Sequence, residues 1–235
     1  MTGDVADPRI RAGLERQFAA LRELTGARHT LLGWKVGFGA LAAMQKLRIA
    51  APLTGFLLAE NRLPSGAVCA LKGWVKPVLE PEIAVHLGRD LAAGASEDEA
   101  RAAIAGLGAA IELADLSFAP EDPERILAEN IYQRHVILGA VDRTRAGARL
   151  DGFVAHLLVD GQETASIADL EANTGRIVPI VKQVADTLGA MGETLRAGQV
   201  IIAGSVVPPV FVTPQHAEIA FRLDPLDTLS VRFTH

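Results

Sequence analysis

Three glutamates and one lysine occupy positions where solvated charges are seldom found. Leu79-Glu80-Pro81-Glu82-Ile83-Ala84-Val85-His86-Leu87 reads as a strand. Side chains alternate across a strand, so Glu80 and Glu82 share one face while Ile83, Val85 and Leu87 share the other. Two carboxylates about 7 Å apart on one face can chelate a hard cation, which prefers oxygen ligands. A strand with one wet face accounts for the same pair, and taken alone it is the simpler account. Glu112 tips the balance, because it lies inside the otherwise apolar run Ala109-Ala110-Ile111-Glu112-Leu113-Ala114. A buried carboxylate must be protonated, paired with a base or bound to a metal. Together the three would offer oxygen ligands and leave positions for water and substrate; without a cation they would repel and raise one another's pKa. Lys35, in Leu32-Gly33-Trp34-Lys35-Val36-Gly37, sits among apolar residues and glycines that let a ligand or another backbone approach closely. It could bind a substrate carboxylate, transfer a proton after desolvation, or snorkel from a strand edge.

Bringing these residues together requires strands side by side. Thr30–Phe38 carries Lys35, Val78–Leu87 carries Glu80 and Glu82, and Ala109–Leu116 carries Glu112. Ahead of them, Asp7 caps a helix opening at Pro8, with Ile10, Leu14, Phe18, Leu21 and Leu24 at helical spacing and a stop at Gly26. Ala40–Leu47 is a short helical pattern, Pro52–Leu58 is extended, and Pro64-Ser65-Gly66 is a turn. Ser96 and Glu99 form a capping box for a helix running to about Ala105. A short helix is expected around Pro123–Asn130, and a longer one over Ile177–Leu188. Val136–Val141, Phe153–Val159, Gln199–Ala203, Val210–Thr213, Ala217–Leu223 and Leu229–Phe233 read as strands, with Asp160-Gly161 as a hairpin turn. Pro81 removes a ladder donor, which places its strand at an edge or beside a bulge. Many short strands with few long helices predict a β-rich α+β fold.

Composition narrows the function classes. The 235 residues are 49% hydrophobic and 22% charged, a globular balance. With 23 Lys+Arg against 28 Asp+Glu and no dense basic run, neither a nucleic acid nor a membrane surface is expected as partner. A single cysteine, Cys69, excludes an internal disulfide framework and a multi-cysteine metal site. The amino terminus has no signal pattern and no uncharged run is long enough to span a bilayer, so a soluble, cytoplasmic protein is expected. Phosphate-loop, full dinucleotide-binding, nucleophile-elbow and HExxH motifs are absent, and the six histidines form no ligand pair.

The motifs Gly33-Trp34-Lys35-Val36-Gly37, Glu80-Pro81-Glu82-Ile83-Ala84 and Ala110-Ile111-Glu112-Leu113-Ala114-Asp115 are followed by Ala128-Glu129-Asn130, Leu138-Gly139, Ala197-Gly198-Gln199 and Gly204-Ser205. In this order they resemble the fumarylacetoacetate hydrolase superfamily, in the branch of the 2-keto-4-pentenoate hydratases and 4-oxalocrotonate decarboxylases. The resemblance runs from about Gly33 to the carboxyl terminus. It implies a mixed β-roll over residues 31–235 behind a helical segment at 1–30, one domain overall, assembled into homo-oligomers. It implies that Glu80, Glu82 and Glu112 hold Mg²⁺ or Mn²⁺, that Lys35 is catalytic, and that Gly37, Asn130, Gly204 and Ser205 face the substrate. The implied activity is a lyase acting on 2-oxo or 2-hydroxydienoic acids through an enolate, foremost a hydratase of aromatic-compound catabolism. Decarboxylation or acylpyruvate-type C–C hydrolysis is the alternative, and a non-catalytic metal-binding scaffold is a further one.

Three departures from the pattern stand out. Relatives carry more helix before the Gly-Trp-Lys motif, and an acidic residue expected near Pro52-Leu53-Thr54-Gly55 is missing. Small residues that usually follow Asn130 are replaced by Ile131-Tyr132-Gln133-Arg134-His135. From that bulk, Arg134 is expected either to bind a second substrate carboxylate or to pair with a nearby acid.

Overall fold

The structure, a computed structural model, describes residues 5–235. Helix α1 (Pro8–Ala27) starts as its cap requires, with the Asp7 carboxylate accepting from the Arg9 N–H at 2.9 Å. Its apolar stripe, Ile10, Leu14, Phe18 and Leu21, is buried in the main core. The remaining helices are α2 (Leu41–Leu47), α3 (Glu97–Ala103), α4 (Pro123–Ala128) and α5 (Ile177–Ala190). α1 packs on α4, tied by the buried Gln17 amide donating to the Leu127 carbonyl at 2.9 Å. The Ser96–Glu99 capping box is formed at α3, as its spacing requires.

Among the described residues there are two sheets. The larger is built from β1 (Leu31–Gly37), β2 (Leu53–Leu58), β3 (Arg62–Leu63), β5 (Pro77–Leu87), β6 (Ile104–Asp115), β7 (Gln133–Asp142), β10 (Val200–Ser205) and β11 (Val210–Phe211). The smaller comprises β4 (Ala67–Ala70), β8 (Val154–Val159), β9 (Gln162–Ile167), β12 (Glu218–Asp224) and β13 (Asp227–Thr234). Strand order in the large sheet is β2-β1-β10-β5-β6-β7-β3, with β11 added beside β5. The sheet curls until β2 contacts β7. Its outer face, including Leu79, Ile83, Val85, Ile111 and Leu113, belongs to the main core. Its inner face carries the glutamates and, deeper in the curl, a separate apolar plug of Leu57, Ala84, Ala110, Val136, Val200 and Ile202.

The expected mixed, β-rich fold with an amino-terminal helix is the one observed. Two details differ. The β9 strand was not legible, being a largely exposed edge with no apolar alternation. The α3 helix ends at Ala103 rather than Ala105, because β6 begins at Ile104 to pair with Leu87 of β5. Among the described residues no helix is long and apolar enough to cross a membrane.

Candidate metal centre and cavity

Two long central strands set the glutamates. β5 and β6 are antiparallel, and their register puts Glu80 directly opposite Glu112, with Glu82 opposite Ala110. Directly paired residues share a sheet face. One carboxylate oxygen from each of Glu80, Glu82 and Glu112 therefore falls within 4.8 Å of the others. Glu82 and Glu112 are fully buried, whereas Glu80 borders the cavity.

Pro81 explains how a proline fits a central strand. It is not at an edge: β5 lies between β6 and β10. In a strand the N–H and C=O of one residue point the same way, and the Pro81 carbonyl accepts from the Val206 N–H of the β10 side at 2.8 Å. The missing donor thus faces β10 where a bulge between Ile202 and Ser205 interrupts the ladder. That bulge has a second effect. Gly204, at φ +92°, turns its N–H out of the ladder and donates it to Glu82 Oε2 at 2.6 Å. A side chain there would be strained and would press on Thr174.

Lys35 reaches the same point from β1 and is 1% exposed. Its ammonium pairs with Glu112 Oε1 and donates to the Ile131 carbonyl at 3.1 Å. Gly33 serves backbone packing, since a Cβ there would lie 2.0 Å from the Val200 carbonyl oxygen of β10. Gly37 lines the cavity, and a Cβ there would lie 2.9 Å from Ile131 Cγ2.

The electrostatics are those of an uncompensated anionic centre. Burial pushes the Glu80 carboxyl up to about 7, with the neighbouring Glu112 charge adding to the effect and Lys35 opposing it. Glu82 is raised well above the usual carboxylate range, first by burial and then by Glu112 and Glu80. Burial also raises Glu112, against the pull of Lys35. Glu82 Oε1 and Glu112 Oε2 are buried and have no hydrogen-bond partner.

A cavity of about 190 Å³ opens over this centre. Lys35, Gly37, Glu80, Gly204 and Ser205 line it, together with Phe38, Tyr132, Asn173, Thr174 and Phe211. Two expected substrate contacts lie elsewhere. Arg134 is not on the lining; its side chain is half-exposed and held 3.3 Å from the buried Asp115 carboxylate, beside the Trp74 ring. Asp115 already accepts the Val75 and Lys76 N–H groups, so its remaining oxygen draws the guanidinium away from the cavity. Asn130 is also off the lining. Its side chain accepts from the Phe56 N–H at 2.8 Å and donates to the Phe56 carbonyl at 2.9 Å, acting as an extra rung beside β2. This clamp holds three successive residues in the left-handed region, Asn130 (φ 48°), Ile131 (φ 51°) and Tyr132 (φ 60°). For a β-branched residue such as Ile131 that conformation is costly, and it aims the Ile131 carbonyl at Lys35.

Sequence reading missed Phe38, Asn173, Thr174 and Phe211. Asn173 secures the bulge by donating to the Ser205 carbonyl at 2.7 Å. The turn signal Asn173-Thr174-Gly175 marks the loop, though nothing in it points to β10.

A curled mixed sheet carrying buried carboxylates on its inner face, under a cavity, defines the class as a β-roll with an acidic centre. The family model for the fumarylacetoacetate (FAA) hydrolase C-terminal domain matches residues 42–234, and the chain belongs to that family. It is 28% identical to a 4-oxalocrotonate decarboxylase of Pseudomonas sp over 220 residues, covering 91% of this chain and 83% of that relative. It is also 28% identical to a 2-hydroxyhexa-2,4-dienoate hydratase of Comamonas testosteroni over 221 residues, 91% and 81% of the two chains. The fold matches that of 4-oxalocrotonate decarboxylase from Pseudomonas putida G7, complexed with magnesium and adipate, at a TM-score of 0.87 and 24% identity, covering 99% of this chain and 89% of that one.

Proposed function

We propose that the protein is a divalent-metal-dependent lyase of 2-oxo or 2-hydroxydienoic acids, a hydratase of the 2-keto-4-pentenoate type. The observation that carries this reading is the charge of the centre. Ionised, as metal ligands must be, three carboxylates against one ammonium leave two negative charges unrelieved, with two buried carboxylate oxygens unpartnered. A divalent ion fits that deficit and that all-oxygen donor set. Glu80, Glu82 and Glu112 would hold it, and the relative crystallised with magnesium makes Mg²⁺ the first ion to test. When bound, the ion supplies Lewis-acid stabilisation of charge on a substrate oxygen.

This chain's own groups supply the rest. The Gly204 N–H fixes Glu82, and Lys35 fixes Glu112 while the Ile131 carbonyl fixes Lys35. Lys35 lines the cavity, which suits it to transferring a proton to the substrate carbon skeleton during hydration. Gly37 and Gly204 let the substrate approach the backbone, and Ser205 offers a hydroxyl at the wall. Phe38 and Tyr132 exclude bulk water, which strengthens every charge interaction below them.

A similar relative decarboxylates 4-oxalocrotonate, so carbon dioxide release is the competing outcome. The deciding measurement pairs thermal stabilisation by Mg²⁺ and oxalate with proton exchange at C3 of 2-oxo acids followed by NMR. A working site shows more stabilisation from metal and diacid together than from their sum, and metal-dependent exchange. Additive stabilisation without exchange would leave a non-catalytic scaffold.

A further inference from the structure

Beyond the carboxylates the cavity changes chemical character. Residues two apart on a strand share a face, and so do directly paired residues of neighbouring strands. Glu80 and Glu112 form one such row. The next row toward the opening is Ala114, Val78 and Phe211, paired in that order across β6, β5 and β11. Leu116 extends it just past the end of β6, Phe38, Pro209 and Tyr132 also line the cavity, and Asn173, Thr174 and Ser205 add uncharged polar side chains. The Tyr132 hydroxyl is committed to the Phe118 carbonyl at 3.2 Å. Lys35 and Glu80 are the charged side chains of the lining, and both belong to the floor. Arg134, the cation expected to meet a second carboxylate, is held by Asp115. Phe211 is 45% exposed, a large ring left half in water.

We infer that the Ala114–Val78–Phe211 row is a subsite for an apolar terminus, so that the preferred substrates are 2-oxo acids ending in an alkyl or aryl group rather than dicarboxylates. The inference rests on the 2-oxo acid reading above and adds the far end of the molecule to it. Two residues of strand separate the rows by about 7 Å. An extended carbon chain, advancing roughly 1.3 Å per bond from a C–C length of about 1.5 Å, reaches the apolar row about five bonds beyond the oxo carbon. A five-carbon dienoate stops short of it. A second carboxylate would lose water against Val78, Ala114 and Leu116 with no cation at that end of the lining to receive it. The neighbouring Lys76 has its ammonium 4.4 Å from the centre of the Phe211 ring and is not part of the lining.

Calorimetry on the Mg²⁺-loaded protein tests this with 2-oxopentanoate, 2-oxooctanoate and 2-oxooctanedioate. Burying the added methylenes against one wall should tighten 2-oxooctanoate on the order of tenfold over 2-oxopentanoate, less than full burial would give. The dicarboxylate should bind no more tightly than 2-oxopentanoate. In Phe211→Ser the chain-length ratio should fall toward one, whereas Lys76→Ala should leave it unchanged. A dicarboxylate that binds as tightly as 2-oxooctanoate, or a ratio of one in the unaltered protein, overturns the inference while leaving the 2-oxo acid reading intact. If 2-oxopentanoate itself fails to bind, that reading falls and the subsite falls with it.

Discussion

Replacing Glu80 with glutamine should make the metal-free protein more stable, although it removes a charged group from a charged centre. Free in the unfolded chain, the Glu80 carboxyl titrates near 4.5; folding pushes it up to about 7, chiefly through burial. A carboxyl whose pKa is raised by folding favours the native state only while protonated. Below 4.5 it costs nothing, and from 4.5 to 7 each pH unit removes about 1.4 kcal/mol of stability; above 7 the loss is constant. The full loss is about 3 kcal/mol, an upper figure because Glu80 borders the cavity. Glu80→Gln abolishes it. In chelator at pH 8 the variant should melt higher than the unaltered protein by several degrees, given roughly 2–4 °C per kcal/mol for a chain of this size. The difference should vanish near pH 4.5. With saturating Mg²⁺ at pH 8 the order should reverse, since a native-state ligand stabilises in proportion to its affinity and the variant has lost a ligand. Paired melting curves across pH 4.5–8, with chelator and with Mg²⁺, provide the measurement. A variant less stable than the unaltered protein in chelator at pH 8 would refute the reasoning, for Glu80 would then have a compensating partner.

Glu82→Gln should weaken Mg²⁺ and Mn²⁺ at least tenfold by calorimetry, and unchanged affinity would remove Glu82 from the ligand set. Lys35→Met should cost activity two orders of magnitude or more and also cost stability, about 3 kcal/mol, because it strands the buried Glu112 carboxylate. The double change Lys35→Met with Glu112→Gln should recover most of that stability by denaturant titration; no recovery would mean that the pair is not coupled. Asn130→Ala should destabilise by about 2 kcal/mol through loss of both Phe56 bonds, whereas Asn130→Gly, relieved of the positive φ, should lose less. Arg134→Ala should change kcat/KM for monoacids and diacids alike by less than threefold, and a selective diacid loss would return Arg134 to the substrate.

What the sequence made legible was local. Alternation placed Glu80 and Glu82 on one face, and an acid inside an apolar strand marked Glu112 as unusual. Capping and turn chemistry placed α1, α3 and the Asp160-Gly161 hairpin. Lys35 was anticipated as functional, but its tie to Glu112 spans 77 residues and gives it a role in stability that no local pattern carries. The same holds for Phe211, which reaches the cavity only through its register with Val78. Arg134 misled because a bulky insertion next to a pocket motif says nothing about side-chain direction. Asp115, three residues after Glu112 and so on the opposite face of β6, decided that direction. Pro81 was read as needing an edge or a bulge; it is the bulge, and that bulge belongs to β10, more than a hundred residues further along the chain.

The apolar plug of Leu57, Ala84, Ala110, Val136, Val200 and Ile202 has a kinetic consequence. On the face shared by the glutamates, the plug's Ala84 and Ala110 lie on one side and the cavity-lining Val78 and Ala114 on the other. With that cavity as the doorway, the deepest occupant would enter first and leave last. A cation held by Glu80, Glu82 and Glu112 would lie beneath an organic acid seated above Glu80, and the expected order of loading is ion before acid. A seated acid is then a lid: chelator should strip the ion quickly from the acid-free protein and slowly once the doorway is filled. On the hydratase reading proposed above, the attacking water would share that doorway with the substrate, which would make the gap left around the bound acid part of the reaction.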